Sequence, residues 1–409
     1  MNDQITRTLA EKAERFSQQH HSDLSVEGVL ARAGEIRRGR RMRATMAMAA
    51  VVLAVAVPVG ITVMNQDPEA KGPVPAPPVD HRTIGLGDLS TGKQPFATGF
   101  LVPGDPKGTI MVRSPRREDD GRQTAIDAHL DGNPASTITD LAFVQNGFIV
   151  AYTNGDDGTR TAVFWGDDST EPQKWALESG FAVSPEKNVV AFAMPGGTIV
   201  AVQDGGSRWY EIGKVPGSGL NVTAVWGENC SGRSAGRGCA VYVQRSDEKP
   251  ATYQVTDLGQ VAKVGTFLSL AAVREDAFAG IVSATDTGSC SDLRTAEDKK
   301  VWGTCDYRLR SFSPDGKHLL ATGAYGDGFG DTQLAILDAA NGTPALDLRT
   351  VQDAAITQMI WEDDEHVLAT VFQKNQWAVL RIGLDGHREY ALGPVAGTDM
   401  EPPLELPVR

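Results

Sequence analysis

From residue 137 onward the chain alternates short apolar runs, rich in Val, Ile, Ala and aromatics, with polar turns of Gly, Asp, Asn and Ser. The segments ITDLAFVQNGFIVAY, ESGFAVSPEKNVVAF, NVTAVWGENC, SLAAVREDAFAGIV, YRLRSFSPDGKHLLAT and ITQMIWEDDEHVLAT form one recurring pattern, a β-rich stretch ending at a polar turn, usually followed by a second apolar stretch. The last apolar residues before these turns are Phe143, Val183, Trp226, Val273, Phe312 and Trp361, at intervals of roughly 40 to 50 residues. β-Branched runs between such turns specify strands rather than helices, and the interval fits one propeller blade of four antiparallel strands. YRLRSF, HLLATGA, TQLAILD and ALDLRT supply the four strands of one unit, and ITQMIW, HVLATVF, WAVLRIG and HREYALG those of the next. RTIGLGDL, FATGFLV, GTIMVRS and TAIDAHL are expected to make a first unit, for a total of seven; its looser spacing leaves six or eight compatible. Trp175, Trp209, Trp302 and Tyr390 recur in the fourth strand, where packing between neighbouring blades is expected.

A different pattern precedes the strands. Ala44 to Met64 reads ATMAMAAVVLAVAVPVGITVM, without a charge; at 1.5 Å per residue it spans roughly 30 Å, the thickness of a bilayer core. Arg37, Arg38, Arg40, Arg41 and Arg43 stand just before it, so the positive-inside rule places residues 1–43 in the cytoplasm and the rest outside. A cleaved signal peptide would carry a shorter apolar run nearer the N-terminus and an A-x-A site. Residues 4–19 and 25–41 have helical character, and Val26, Val29, Leu30, Ala33 and Ile36 form one apolar face. A tail this short hardly folds alone; it either docks on a cytosolic protein or only anchors the topology. Residues 65–82, with Pro68, Pro73, Pro75, Pro77 and Pro78, favour an extended stalk. The expected organisation is a cytosolic tail (1–43), a transmembrane helix (44–64), a linker (65–82), an all-β seven-bladed propeller (83–397) and a C-terminal tail (398–409).

Charge and cysteines agree with that topology. Residues 1–43 carry nine Lys/Arg and six Asp/Glu, a net of +3, which leaves −16 on the remainder of a chain whose total is −13. So acidic a domain repels phosphate backbones, which argues against nucleic acid as a partner. Cys230, Cys239, Cys290 and Cys305 all lie beyond the apolar run, on the side where disulfides persist. Three pairings are open, and local loop closure favours Cys230–Cys239 with Cys290–Cys305.

SFSPDGKHLLAT (311–322) resembles the blade signature of WD40-like and TolB-like propellers, and SPEKNVVAF (184–192) is a weaker copy. The whole layout is similar to bacterial single-pass membrane proteins with an extracytoplasmic propeller, some of which accompany regulatory systems such as sigma factors. The resemblance implies a propeller fold and a binding or sensory role.

No GxSxG, HExxH, P-loop or EF-hand pattern occurs, and no cofactor, metal site or enzyme activity is expected. His318 and His366 hold the same place in two successive units, which the repeat explains. Asp363 and Asp364 sit in a turn, where Asp bonds local backbone. Three loops, 153–159, 285–289 and 324–332, fall on one rim of the channel by strand count. Asp156, Asp157, Asp327 and Asp331 are the candidate binding residues there, for a protein, a small polar ligand or a weakly held Ca²⁺. The functional expectation is a membrane-anchored binding or sensory module that signals to a cytosolic partner. The alternatives are a propeller hydrolase or lyase acting on envelope polymers, or a scaffold in an envelope complex.

Overall fold

The computed structural model describes residues 83–93, 98–101, 109–113, 123–127, 137–154, 158–166, 172–203, 208–231, 238–247, 250–265, 267–326, 329–399 and 402–408. The expected tail, membrane helix and linker fall outside these residues. Among the described residues no helix is long and apolar enough to cross a membrane.

Short strands β1 (Thr83–Ile84), β2 (Thr98–Leu101), β3 (Thr109–Arg113) and β4 (Gln123–Asp127) lead into a run of blades. Blade 1 is β5 (Thr137–Val144), β6 (Gly147–Thr153), β7 (Arg160–Gly166) and β8 (Gln173–Leu177). Blade 2 is β9 (Phe181–Val183), β10 (Val189–Ala193), β11 (Thr198–Gln203) and β12 (Arg208–Lys214). Blade 3 is β13 (Leu220–Trp226), β14 (Ala240–Arg245), β15 (Ala251–Thr256) and β16 (Val261–Lys263). Blade 4 is β17 (Ser269–Val273), β18 (Ala277–Thr285), β19 (Gly288–Thr295) and β20 (Lys300–Thr304). Blade 5 is β21 (Tyr307–Phe312), β22 (His318–Gly323), β23 (Gln333–Asp338) and β24 (Pro344–Thr350). Blade 6 is β25 (Ala354–Trp361), β26 (His366–Gln373), β27 (Gln376–Gly383) and β28 (Arg388–Ala396). Within each blade the consecutive strands pair antiparallel. The first strands of blades 1 to 5 touch in succession, which makes them the inner wall of a β-propeller.

In blades 2, 5 and 6 the two middle strands are covered on both faces, so their sequences run apolar instead of alternating. Leu334, Ala335, Ile336 and Leu337 in β23 are fully buried; each large side chain there contributes on the order of 1.5–3 kcal/mol. The outer strands are more polar. Trp175 packs on Phe192 of the next blade at 5.6 Å between ring centroids. Trp302 likewise donates its indole N–H to the carbonyl of Ala339 in the next blade (2.9 Å). Trp209 departs from the expectation: it is 51% exposed on the outer strand of blade 2.

The expectation of seven successive units needs correction, because six blades run in succession and the segment read as the first unit is split. RTIGLGDL does not pair with β2. Its β1 lies parallel to β24, the outer strand of blade 5, and Thr91 then bridges Tyr390 of β28. Tyr390 donates its hydroxyl to the carbonyl of Gly87 (2.9 Å). The segment thus covers two sheet edges that would otherwise expose unpaired backbone. Strands β2–β4 instead receive β29 (Leu404–Glu405), in the order β29-β2-β3-β4. The stretch read as a C-terminal tail therefore contributes a strand. Leu404 and Leu406 are buried against Trp377 and Val379 of blade 6. On the other side Val112 of β3 packs with Leu141 and Phe143 of blade 1, and Val408 N–H donates to the Leu141 carbonyl (2.6 Å). This seam sheet stands between blade 6 and blade 1.

Both favoured disulfides are present. Cys230–Cys239 closes the β13–β14 connection with Cα atoms 4.9 Å apart. Cys290–Cys305 links neighbouring positions of β19 and the end of β20 at 4.0 Å.

Candidate functional site

The turns explain why several acidic residues are not free to act. In SPDGKH the Asp315 carboxylate accepts from the Ser313 hydroxyl (2.7 Å) and the Lys317 N–H (3.0 Å), while Gly316 supplies φ of 72°. Asp364 of the next blade accepts the N–H of Asp315 (2.8 Å). Asp363 accepts the N–H groups of Glu365 and His366, each at 2.8 Å. His366 contacts that same carboxylate through Nδ1. The Asp363–Asp364 pair is thus turn chemistry, one member local and the other bridging blades.

On the rim formed by the second-to-third strand connections, two of the expected loops meet. Ser289 donates its backbone N–H and its hydroxyl to the Ala324 carbonyl, both at 3.1 Å. Asp156, Asp157 and Asp327 lie outside the described residues. Asp331 is described, and its surroundings differ from those of an open turn. Its backbone exchanges two hydrogen bonds with Ile356 of blade 6 (2.8 and 2.9 Å). Its carboxylate, 12% exposed, receives Arg308 at 3.2 Å and Arg310 at 2.8 Å.

Those arginines stand two residues apart on the innermost strand β21. Arg310 is enclosed by protein and burial depresses its pKa, with Asp331 opposing the shift, yet 39% of its side chain touches solvent. Such a combination marks a group inside a wet channel. The Nε atoms of both arginines are buried without a hydrogen-bond partner. Among the described residues two cations share one carboxylate here, which leaves one positive charge in excess.

Another arc, at the seam and blade 1, carries carboxyls. Glu405 on β29 receives the side-chain amide of Gln358 on β25, and Gln358 in turn accepts the N–H of Leu406 (2.9 Å). Burial pushes Glu405 up to about 8, with Asp140 adding repulsion. Asp140 on β5 is raised to about 6, also chiefly by burial, against the pull of Arg160. Gly180 leaves room for it, since a Cβ there would come within 3.1 Å of the Asp140 carboxylate.

β-Bulges interrupt five of the six first strands, at Thr139, Thr223, Ala271, Arg310 and Thr357. Four of these residues are small; only blade 5 places a long cation there. Arg308, Arg310, Gln358, Asp140 and Glu405 escaped the sequence reading. The available signal was YRLRSF itself, in which two arginines occupy a strand that other units fill with Thr or Ala. Among the described residues no group of three or more His, Cys, Asp or Glu could hold a metal ion.

The order of the sheets makes the fold a β-propeller. No family model matches the sequence, and no curated protein matches it. Solved structures similar to it include an acylaminoacyl peptidase in complex with Z-Gly-Gly-Phe-chloromethyl ketone, with TM-score 0.44 and 12% identity over 64% of this chain and 46% of that one. The chain thus spans less than half the length of that peptidase. YCF48 bound to D1 peptide has TM-score 0.44 and 15% identity over 74% of this chain and 87% of that one. The β-propeller domain of the Trilobed protease from Pyrococcus furiosus has TM-score 0.43 and 14% identity over 64% and 86%.

Proposed function

We propose that this chain is a membrane-anchored, extracytoplasmic binding module whose channel mouth receives a ligand bearing an anionic group. One observation carries the reading: Arg308 and Arg310 share the single carboxylate of Asp331 on an inner, solvent-reached wall. A carboxylate or phosphate arriving there would complete the pairing and relieve an incompletely bonded, partly desolvated guanidinium. The paired cysteines suit an oxidising compartment, and the charge-free run 44–64 behind an arginine cluster supplies the anchor. The seam sheet then acts as the seventh, ring-closing blade. Signalling falls to residues 1–43 through a cytosolic protein, and the propeller works by binding rather than by catalysis.

Binding of an acidic peptide and its amidated counterpart to the full chain tests this reading. The acidic form should bind at least about 10-fold tighter, a difference that fades as salt rises. The Arg308→Gln, Arg310→Gln double variant should lose that preference. Equal affinity for both peptides, or a double variant that retains the preference, refutes it.

A further inference from the structure

Blades 3 and 4 do not close fully on each other. Between them lies a cavity of about 400 Å³, within the range of small-molecule sites. Trp226, Tyr242 and Phe278 supply its aromatic walls, and the β17–β18 and β19–β20 turns form its far side. It is therefore remote from the arginine pair, on the opposite rim, and independent of the reading above.

Trp226 and Trp361 hold the same place in the repeat, at the end of a first strand. Trp361 is 3% exposed and donates its indole N–H to the Ser311 carbonyl (3.3 Å). Trp226 is half-buried, and its indole N–H finds no acceptor among the described residues. Beside it Tyr242 and Phe278 stand 5.6 Å apart between ring centroids, tilted by 59°. The phenol of Tyr242 accepts from Gln254 (3.2 Å), which fixes the ring at the cavity floor.

The charges at the mouth are unequal in their commitments. Arg274 is held by Asp276 and the Gly316 carbonyl. Asp298 is held by Arg294 at 3.2 Å, and Glu275 also has an interaction of its own. Lys263 lines the cavity, and its ammonium forms no ion pair among the described residues. Two donors, one cationic, thus stand unmatched around an aromatic box.

We propose that this cleft binds a small aromatic acid, its ring among Trp226, Tyr242 and Phe278 and its carboxylate against Lys263 and the Trp226 N–H. Offset or edge-on ring contacts provide the apolar share, and the charge-assisted bond to Lys263 selects the anion. Calorimetric titration of the full chain with 3-phenylpropionate, its neutral amide, and 3-cyclohexylpropionate tests the assignment. Phenylpropionate should bind about 10-fold tighter than either analogue. Lys263→Gln, at an exposed position, should remove the preference for the acid over the amide while leaving the melting temperature in place. Arg308→Gln should leave this titration unchanged. No heat with phenylpropionate, equal binding of acid and amide, or a Lys263→Gln variant that keeps the preference overturns the proposal.

Discussion

Two arcs of the same inner wall solve the problem of polar groups in opposite ways. On blade 5, Arg308 and Arg310 remain charged, are tied to one carboxylate and keep contact with solvent. On blade 1 and the seam, Asp140 and Glu405 are pushed toward their neutral forms by burial, and an amide rather than a cation faces Glu405. The first arrangement keeps a charge available to an incoming partner. The second suppresses charge where chain segments far apart in sequence must join. Charge is retained at the mouth and, at the joint, disfavoured most strongly on Glu405.

The sharpest way to break this contrast is to remove the joint. Deleting residues 402–409 takes away Leu404 and Leu406, both 2% exposed, and with them about 3–6 kcal/mol of apolar burial. Urea denaturation should show loss of a single cooperative transition, or a midpoint far below that of the parent chain.

Next in size is the pH response of Glu405. With its pKa near 8 in the folded chain and about 4.3 unfolded, the folded state binds the extra proton throughout that interval. Stability must then fall as pH rises from about 4.3 to 8. Glu405→Gln should flatten this dependence and raise stability at pH 8.5 by on the order of a few kcal/mol. Chemical denaturation across pH checks it, and a variant with an unchanged slope would contradict the neutral-joint account. Asp140→Asn should act in the same sense over a narrower window ending near pH 6.

Asp331→Ala should cost about 1–3 kcal/mol by equilibrium unfolding, less than a fully buried pair because Arg310 reaches solvent. Arg310→Gln should cost under about 1 kcal/mol, since Arg308 still pairs with Asp331 and a desolvated cation has gone. The inequality between these two variants is what a surplus positive charge requires; equal losses would mean a balanced structural ion pair.

The repeat was legible because middle strands such as β10, β23 and β26 are buried on both faces, which writes apolar runs into the chain at a steady interval. Local disulfides were legible from spacing alone. The seam was not: TGFL and LE are short, lie at opposite ends of the propeller sequence, and become partners only through ring closure. The loops 285–289 and 324–332 were correctly placed on one rim, and strand counting suffices for that. What Asp331 bonds to could not be read, because its arginines sit two strands earlier, on β21, and its backbone partner, Ile356, belongs to the next blade. Trp209 likewise followed the repeat in sequence but faces solvent. Outer strands feel their neighbours least, so the pattern there constrains least.

The pairing of Gly99 with Glu405 also sets the order in which the molecule can be completed. Blades 1 to 6 are each made of neighbouring strands and can form as the chain emerges, whereas β2–β4 lack an inner strand until residues 404–406 arrive. Contacts of such sequence separation form slowly, and an unpaired β2 edge is meanwhile open to other strands. The propeller therefore stays an open arc until the pairing of β2 with β29 is made.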